Sequence, residues 1–575
     1  MPVLEWIGKN KIISHHNDVP FHVLNKKYSF GSENSKNIII HSDNLYALKS
    51  LLPKYEGLVD CIYIDPPYNT GNEKWVYNDN VNDPRISKWL GQVVGAEGED
   101  LSRHDKWLCM MYPRLKLLQK LLSPKGVIFI SIDDNELKNL ICICEEIFGP
   151  QNFVANITWQ RTYSPRNDSK GISNEAEHIV VFSKNPNWMP KKLPRTEKMD
   201  KVYKNPDNDI SPWRNSDAFA PSAATHQGMV YAIQHPITGE LIYPYDGACW
   251  PLEQSKMLLE MENWAEYELI DINDSERRAK VCGVPVEDIR KGVKAIMLSE
   301  PLESSRAKGL AIIKRGKWPK FFFTKNGYGG IARKTYLDAA KGKVVTNLWP
   351  YEEVGHTDEA KKEIATILGD KKLFDTPKPT RLIKRILQIA TDKNSIILDS
   401  FAGSGTTGQA VLELNNEDGG KRKFIMVEMM DYADNVTAER IKRVVAGYGK
   451  GKNEKKPIDG DFSFYELGEP IFDENMNLNS NLDEETIKQF VYYTETHKDL
   501  EKTKDNNYLG ESDSTAYYMF YKRNEPTCLN FKSLKEITKK ADAYVIYADS
   551  CTLSQDYMTK NHIIFKKIPR DVQKL

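Results

Sequence analysis

The chain has 575 residues, with 80 Lys and Arg against 80 Asp and Glu, so its formal net charge is zero. At roughly 150 residues per domain, this length predicts three or four domains and excludes a single small binding module. The composition, 40% hydrophobic and 28% charged, is typical of a folded globular protein. With no apolar run of about 18 residues, we expect no membrane span and a cytoplasmic protein.

The cysteines indicate no special site, whereas the charges are segregated along the chain. The eight cysteines are scattered along the chain, which predicts neither a disulfide framework nor a metal site. Residues 301–345 carry 11 Lys or Arg against two acids, whereas residues 457–515 carry 15 Asp or Glu against four Lys. These opposite blocks predict different partners for the two regions, although a solvated face is the simpler interpretation of either block alone.

Helices and strands are predicted to alternate in two separated stretches. Residues 37–66 are typical of strand, helix and strand, residues 107–132 of a helix and a buried strand, and the alternation resumes over residues 383–427. This pattern predicts an α/β fold with a mostly parallel sheet. We assign an N-terminal segment (1–36), a first half of the sheet domain (37–183), an inserted domain (184–345), a second half (346–449) and, after a linker, a C-terminal domain (457–575).

A glycine-rich turn at residues 397–408 follows one predicted strand and begins a helix, the arrangement that lets a ligand approach bare backbone. It lacks the Lys of a nucleotide-hydrolysing phosphate loop. Gly403, Gly405 and Gly408 fit dinucleotide spacing, but Asp399 would repel a pyrophosphate. Asp399 and Glu428, at the end of the next strand, suit a cationic ligand with a ribose, which favours S-adenosylmethionine. A helix entry without a ligand remains the alternative.

A second motif, Asp65-Pro66-Pro67-Tyr68, closes an apolar strand. Two consecutive prolines end ladder pairing and stiffen the backbone just past the sheet. The Asp65 carboxylate and the Pro66 carbonyl can accept hydrogen bonds from an exocyclic amino group, and Tyr68 can stack on a base. An ordinary Pro-Pro turn is the commoner fate of such a dipeptide, but it does not account for the flanking Asp and Tyr.

Together the two motifs resemble the amino-methylating DNA methyltransferases, which act on adenine N6 or cytosine N4. The catalytic tetrapeptide of that family is matched at residues 65–68, and its cofactor motif is matched by Asp399, Phe401, Gly403, Ser404, Gly405 and Thr406. Because the catalytic motif comes first, the order is that of the permuted β class. The resemblance implies a Rossmann-like methyltransferase sheet with permuted motif order, and S-adenosylmethionine bound also by Asp43, Lys378, Thr380 and Glu428.

Residues 65–79, the long insert and the C-terminal extension are similar to the modification subunits of type III restriction-modification systems. That resemblance implies a target-recognition insert, double-stranded DNA as substrate, a homodimer and a possible restriction (helicase-nuclease) subunit. The match covers residues 37–448. Beyond it, the C-terminal domain agrees only in position and size.

The predicted reaction is methylation of adenine N6 in duplex DNA, with the target base flipped out and attacking the methyl group directly. Asp in the tetrapeptide favours adenine over cytosine N4, and no cysteine follows a proline as a cytosine-C5 enzyme would require. Alternatives are a glutamine or RNA amino-methylating enzyme, and a DNA-recognition or assembly subunit without activity. Within the basic insert, the predicted DNA-binding residues are Lys314, Arg315, Lys317, Trp318 and Lys320.

Overall fold

The computed structural model describes residues 4–70, 103–164, 172–370, 373–451, 454–473, 475–498, 500, 505–523 and 525–572. Residues 71–79 of the motif that resembles type III modification subunits therefore lie outside the described residues. The chain divides into two compact units, Met1–Lys191 with Val345–Leu575, and Lys192–Val344. Within the described ranges, every helix is too short or too polar to cross a membrane.

The first unit is built on a ten-stranded sheet. Its strands in chain order are β1 His22–Phe30, β2 Ile38–His41, β3 Val59–Ile64, β4 Leu122–Ile132, β5 Phe153–Gln160, β6 Ala176–Ser183, β7 Leu348–Trp349, β8 Ile396–Asp399, β9 Lys423–Glu428 and β10 Phe462–Pro470. The strand order is β1-β10-β2-β9-β8-β3-β4-β6-β5-β7. From β10 to β4 all pairs are parallel, whereas β6 is antiparallel to both β4 and β5. The sequence predicted this α/β fold.

Helices connect the parallel strands, as crossover connections require. They are α1 Asn44–Tyr55, α2 Arg103–Leu121, α3 Leu137–Phe148, α4 Thr380–Ala390, α5 Thr406–Asp418 and α6 Glu439–Ala446. The apolar faces of α1, α2 and α3 pack with the largely apolar strands β3 and β4 in one buried core. Shorter helices lie at Lys9–Ile12, His15–Asp18 and Tyr351–Val354, and a further helix spans Thr357–Leu368.

The second unit, Lys192–Val344, has its own aromatic core. A four-stranded sheet combines Leu241–Ile242, Ile233–Gln234, Ala295–Leu298 and Tyr267–Ile270, and a three-stranded sheet combines Phe321–Phe323, Ile331–Tyr336 and Trp213–Asp217. Ala220–Pro221 pairs with Ala248–Cys249. The principal helices are Gln254–Met261, Ser275–Cys282 and Leu302–Arg315.

The C-terminal region contributes to two sheets. Strand β10, which lies inside the segment assigned to a C-terminal domain, pairs with β1 and β2 and so belongs to the ten-stranded sheet. A separate four-stranded sheet follows, formed by Tyr508–Ser512, Thr515–Met519, Ala543–Ala548 and Ile563–Lys567. Helices Glu484–Thr496 and Gln555–Lys560 accompany it, and Cys528–Leu529 pairs with Ser550–Cys551.

Candidate active site

Parallel pairing brings the two sequence motifs to one edge of the sheet. Strand β8 pairs with β3 through Leu398 and Ile62, so the turn after Asp399 lies beside the loop that begins at Asp65. On its other side β8 pairs with β9, which ends at Glu428. The carboxyl ends of neighbouring parallel strands form the crevice where ligands bind in open α/β sheets. The sheet therefore places the three predicted acids at the same edge.

The Asp-Pro-Pro-Tyr loop is held at Pro67 and just beyond Tyr68. The indole of Trp107 donates a 2.7 Å hydrogen bond to the Pro67 carbonyl. Asn69 has a positive φ of 57°, and its side-chain amide donates to the carboxylate of Glu136, which is 0% exposed. His104 Nδ1 lies 2.6 Å from the same carboxylate. These contacts fix the loop's backbone beyond the last strand residue.

Two side chains from elsewhere in the chain contact Asp65 and Tyr68 of the loop. Lys378 Nζ lies 2.8 Å from Asp65 Oδ1 and 2.7 Å from Asp65 Oδ2. It also donates to the Tyr68 hydroxyl at 2.8 Å, and that hydroxyl lies 2.8 Å from Asp65 Oδ1. Glu177 completes the group, with Oε2 3.1 Å from the Tyr68 oxygen and 3.6 Å from Lys378 Nζ. Two carboxylates thus share one buried ammonium.

Burial governs the titration of this group. Desolvation raises the pKa of Asp65, against the opposing effect of Lys378. Desolvation would lower the pKa of Lys378, but the Asp65 and Glu177 carboxylates outweigh it and raise that pKa. Desolvation and the same two acids raise the pKa of Tyr68 well above its usual value. Lys378 is therefore a permanent cation, and Tyr68 a permanent neutral phenol, near neutral pH.

The glycine turn is shaped around carboxylates. Gly403 N donates to Glu428 Oε2 at 2.7 Å, and Phe401 N donates to Asp399 Oδ1 at 3.0 Å. Gly403 and Gly405 have φ values of 51° and 80°, which residues with a side chain rarely adopt. A Cβ at Gly405 would lie 2.9 Å from the Thr437 carbonyl oxygen, and one at Gly403 would lie 3.1 Å from Phe374 Cζ. The turn leaves room for backbone only.

The remaining predicted cofactor residues surround this turn. Thr406 Oγ1 lies 3.3 Å from the Lys378 carbonyl, so Lys378 joins the glycine turn through its backbone and the Asp65 loop through its side chain. Thr380 Oγ1 donates to Glu363 Oε2 at 2.7 Å. Asp43 caps helix α1 by accepting from Leu45 N at 2.7 Å and pairs with Arg114 Nη2 at 2.9 Å. Their binding roles stay predictions.

Sequence reasoning missed three charged residues of the site. Glu177 stands near the start of the apolar strand β6, and only the antiparallel pairing of β4 with β6 brings it to the loop. Arg114 lies inside the apolar helix α2 and is 2% exposed. Arg440 is fully buried and donates to Ser404 Oγ and Thr406 Oγ1, both at 2.8 Å. A charge within a largely apolar strand was the available signal for Glu177, whereas the helices of Arg114 and Arg440 carry other charges and gave no such signal.

Asp399 and Glu428 predict a pH-dependent stability. Burial raises the pKa of each to about 7, so the folded protein holds more protons than the unfolded chain between about pH 4 and 7. We expect the free energy of unfolding to fall as pH rises through that window, by about 1.4 kcal/mol per pKa unit and group, and then to level off. Denaturant titrations at several pH values should show that the free energy of unfolding falls less steeply with pH in Asp399→Asn than in wild type. Identical slopes would contradict the raised pKa of Asp399.

The predicted DNA-binding residues lie in the second unit. Lys314 and Arg315 occupy the last turn of helix Leu302–Arg315, and with Lys317 and Lys320 they are exposed. Trp318 is partly buried against the aromatic core. Not all of the local positive charge is available, because Lys334 is buried between Asp207 and Asp209, at 2.5 Å and 2.6 Å.

In this parallel sheet a glycine turn follows a carboxylate at the end of one strand, and an Asp-Pro-Pro-Tyr loop follows the neighbouring strand. This arrangement matches the amino-methylating methyltransferase class. The sequence profile described as DNA methylase (N6_N4_Mtase) matches residues 59–257 and 306–439, more than half of the chain. The chain belongs to this DNA methylase family.

Its relatives include two type III restriction-modification Mod subunits. The StyLTI Mod subunit of Salmonella typhimurium is 32% identical over 76% of this chain and 61% of the relative, and the EcoPI Mod subunit of Escherichia phage P1 is 30% identical over 74% and 63%. This chain thus spans about three fifths of the length of these relatives. The type II methyltransferase M.KpnI of Klebsiella pneumoniae is 29% identical over 70% and 85%.

Solved structures give a distant likeness. The M1.HpyAVI–SAM complex aligns with a TM-score of 0.28 at 15% identity, covering 70% of this chain and 99% of its own. The cytosine-N4-specific PvuII DNA methyltransferase aligns with a TM-score of 0.32 at 13% identity, covering 71% and 86%.

Proposed function

We propose that this protein transfers a methyl group from S-adenosylmethionine to adenine N6 in duplex DNA, as the modification and recognition subunit of a type III restriction-modification system. The observation that carries the proposal is the juxtaposition of Asp65 and Tyr68 with the Asp399 and Gly403 turn on adjacent parallel strands. One strand end supplies acceptors for an amino group. The other supplies acids and bare backbone for a cationic cofactor.

The residues of the turn fit this cofactor. Asp399 and Glu428 are buried acids, and burial raises the pKa of each to about 7, which marks the cost of holding a negative charge there. Ser400 Oγ is buried and has no hydrogen-bond partner among the described residues. A sulfonium or ammonium would favour the ionised acids, and a ligand hydroxyl could satisfy Ser400. Asp399, Phe401, Gly403, Gly405, Thr406 and Glu428 would hold the group, which supplies an electrophilic methyl.

Asp65 and the Pro66 carbonyl carry the proposed chemistry. The lone pair of adenine N6 is delocalised into the ring, so acceptors must hold its protons as the nitrogen becomes tetrahedral. Asp65 also stabilises the positive charge that develops on this nitrogen, an effect that burial strengthens. The base must leave the duplex to reach this depth, and the Tyr68 ring is the aromatic surface beside Asp65.

Nucleoside analysis tests the proposal. The purified protein is incubated with unmodified genomic DNA and methyl-labelled S-adenosylmethionine, and the digested DNA is separated into nucleosides. We expect label in N6-methyl-2′-deoxyadenosine. Label in N4-methylcytosine would reassign the base, and absence of label would support a recognition or assembly subunit without activity. Sequencing the modified DNA then gives the target site.

The basic surface of the insert predicts a salt-dependent effect. Replacing Lys314, Arg315, Lys317 and Lys320 by Gln should weaken DNA binding and flatten the slope of log affinity against log salt by about 0.9 per lost phosphate contact. The matched control replaces four exposed lysines of the C-terminal region, Lys532, Lys535, Lys539 and Lys540. An unchanged slope in the first variant, or equal slopes in the two, would remove the reason for placing DNA on this surface.

The assembly follows from the same proposal. We infer a homodimer on double-stranded DNA in the cytoplasm, joined for cleavage by a separate restriction subunit, because two relatives are Mod subunits of type III enzymes. Light scattering of the purified chain at several concentrations tests the dimer. A monomer at every concentration would contradict it.

A further inference from the structure

Lys378 occupies the groups that the proposed reaction assigns to the target base. Its ammonium contacts both Asp65 oxygens, at 2.8 Å and 2.7 Å, and lies 5.0 Å from the centre of the Tyr68 ring. Under the proposed function, the amino group needs an Asp65 oxygen and the base needs the ring. Since the ammonium already contacts both Asp65 oxygens and the Tyr68 hydroxyl, the amino group cannot bind Asp65 while Lys378 stays where it is.

Glu177 offers Lys378 a second position. Its Oε2 is 3.6 Å from the ammonium, and its Oε1 accepts a 2.9 Å hydrogen bond from Arg161 Nη1, which fixes the carboxylate. The Lys378 and Glu177 side chains are only 8% and 7% exposed. A buried ammonium that leaves one carboxylate needs another, because an unpaired buried charge is costly. Glu177 lies within a short side-chain movement.

We propose that Lys378 holds the place of the target amino group in the free protein, and that Glu177 receives its ammonium when the base enters. Both are positioning residues, since they act through Asp65 and Tyr68. Between turnovers the ammonium pairs with the Asp65 carboxylate and opposes the effect of burial on it, and on base entry the shift to Glu177 frees the Asp65 oxygens for the amino protons. This inference rests on the proposed function.

The test is rescue of one substitution by another. Methyl transfer to genomic DNA is measured for wild type, Glu177→Gln, Lys378→Met and the double variant. Without the Glu177 charge, Lys378 stays on Asp65, so kcat should fall about tenfold while cofactor affinity is unchanged. Lys378→Met should lower KM for DNA about threefold and move the acid limb of the kcat profile to higher pH. The double variant should return to within about threefold of Lys378→Met alone.

A matched set of variants controls for the loss of a lysine that two carboxylates share. Lys384, on helix α4, is shared between Glu413, at 3.2 Å, and Glu417, both on helix α5. Lys384→Met, Glu413→Gln and their combination should leave kcat and KM within about twofold. If Glu177→Gln does not fold, Arg161→Met serves instead, because it leaves Glu177 charged but removes the hydrogen bond that fixes its carboxylate. We expect a smaller loss of kcat in Arg161→Met, and Lys378→Met should also rescue it.

The outcomes are distinguishable. If wild type is active and the losses of activity in the two single variants simply add in the double variant, this inference is overturned and the proposed function stands. Active wild type with an unchanged KM in Lys378→Met also overturns it, since no cation then competes with the base. Wild type that transfers no methyl group to DNA refutes the proposed function, and this inference with it.

Discussion

Asp65→Ala is expected to lower the rate of methyl transfer by about a thousandfold while leaving the cofactor dissociation constant within about threefold. The Asp65 carboxylate directly follows strand β3 and contacts Lys378 and Tyr68, whereas Asp399 ends the neighbouring strand β8 and the glycine turn follows it. Removing it deletes the acceptor for the amino group without touching the turn. Single-turnover rates and calorimetric cofactor titrations measure the two effects separately.

Asp392→Ala is the matched control for that substitution. Asp392 is likewise an acid paired with lysine, at 3.6 Å from Lys125, but it precedes strand β8 and is 63% exposed. We expect its transfer rate to match wild type, because it lies at the opposite end of the strand from the crevice. If Asp65→Ala weakens cofactor binding as much as it slows transfer, the assignment of Asp65 to the base and of the turn to the cofactor is wrong.

The fold could be predicted because its signals are local. Apolar strands that alternate with helices indicated a parallel sheet, and the alternation expected over residues 383–427 corresponds to helices Thr380–Ala390 and Thr406–Asp418 and strands β8 and β9. Parallel pairing then made one inference about the site sound: two motifs at strand ends must share the carboxyl edge. Strand β10 follows the predicted linker and was therefore assigned to the C-terminal domain, whereas its pairing with β1 and β2 places it in the ten-stranded sheet.

The interior of the site could not be predicted from spacing. The family resemblance implied that Lys378 binds the cofactor, and the structure also shows its side chain in contact with the Asp65 loop. That position depends on where Glu177 lies, which follows from the antiparallel pairing of β4 with β6. Charges that meet through tertiary pairing leave no periodicity in the sequence, so neither contact was foreseen. The functional roles of these residues stay predictions.

Gly403→Val is expected to weaken cofactor binding at least about tenfold while the protein stays folded. At φ 51° a β-branched residue is strained, and its Cβ would lie 3.1 Å from Phe374 Cζ before any further atom is added. Gly403 N also donates to Glu428, so a displaced backbone removes a hydrogen bond from one of the two acids proposed to hold the cofactor. Calorimetry with S-adenosylmethionine measures the loss.

Gly419→Val separates backbone strain from loss of the turn. Gly419 has a φ of 67°, close to that of Gly403, but it ends helix α5 and its Cβ would meet nothing within 4 Å. Both variants should lose stability from positive φ, by about 1–3 kcal/mol. Only Gly403→Val should lose cofactor affinity, because only there does the side chain fill space beside the buried acids. Equal affinities in the two variants would show that the cofactor does not approach the backbone at Gly403, and the glycine turn would then be a helix entry alone.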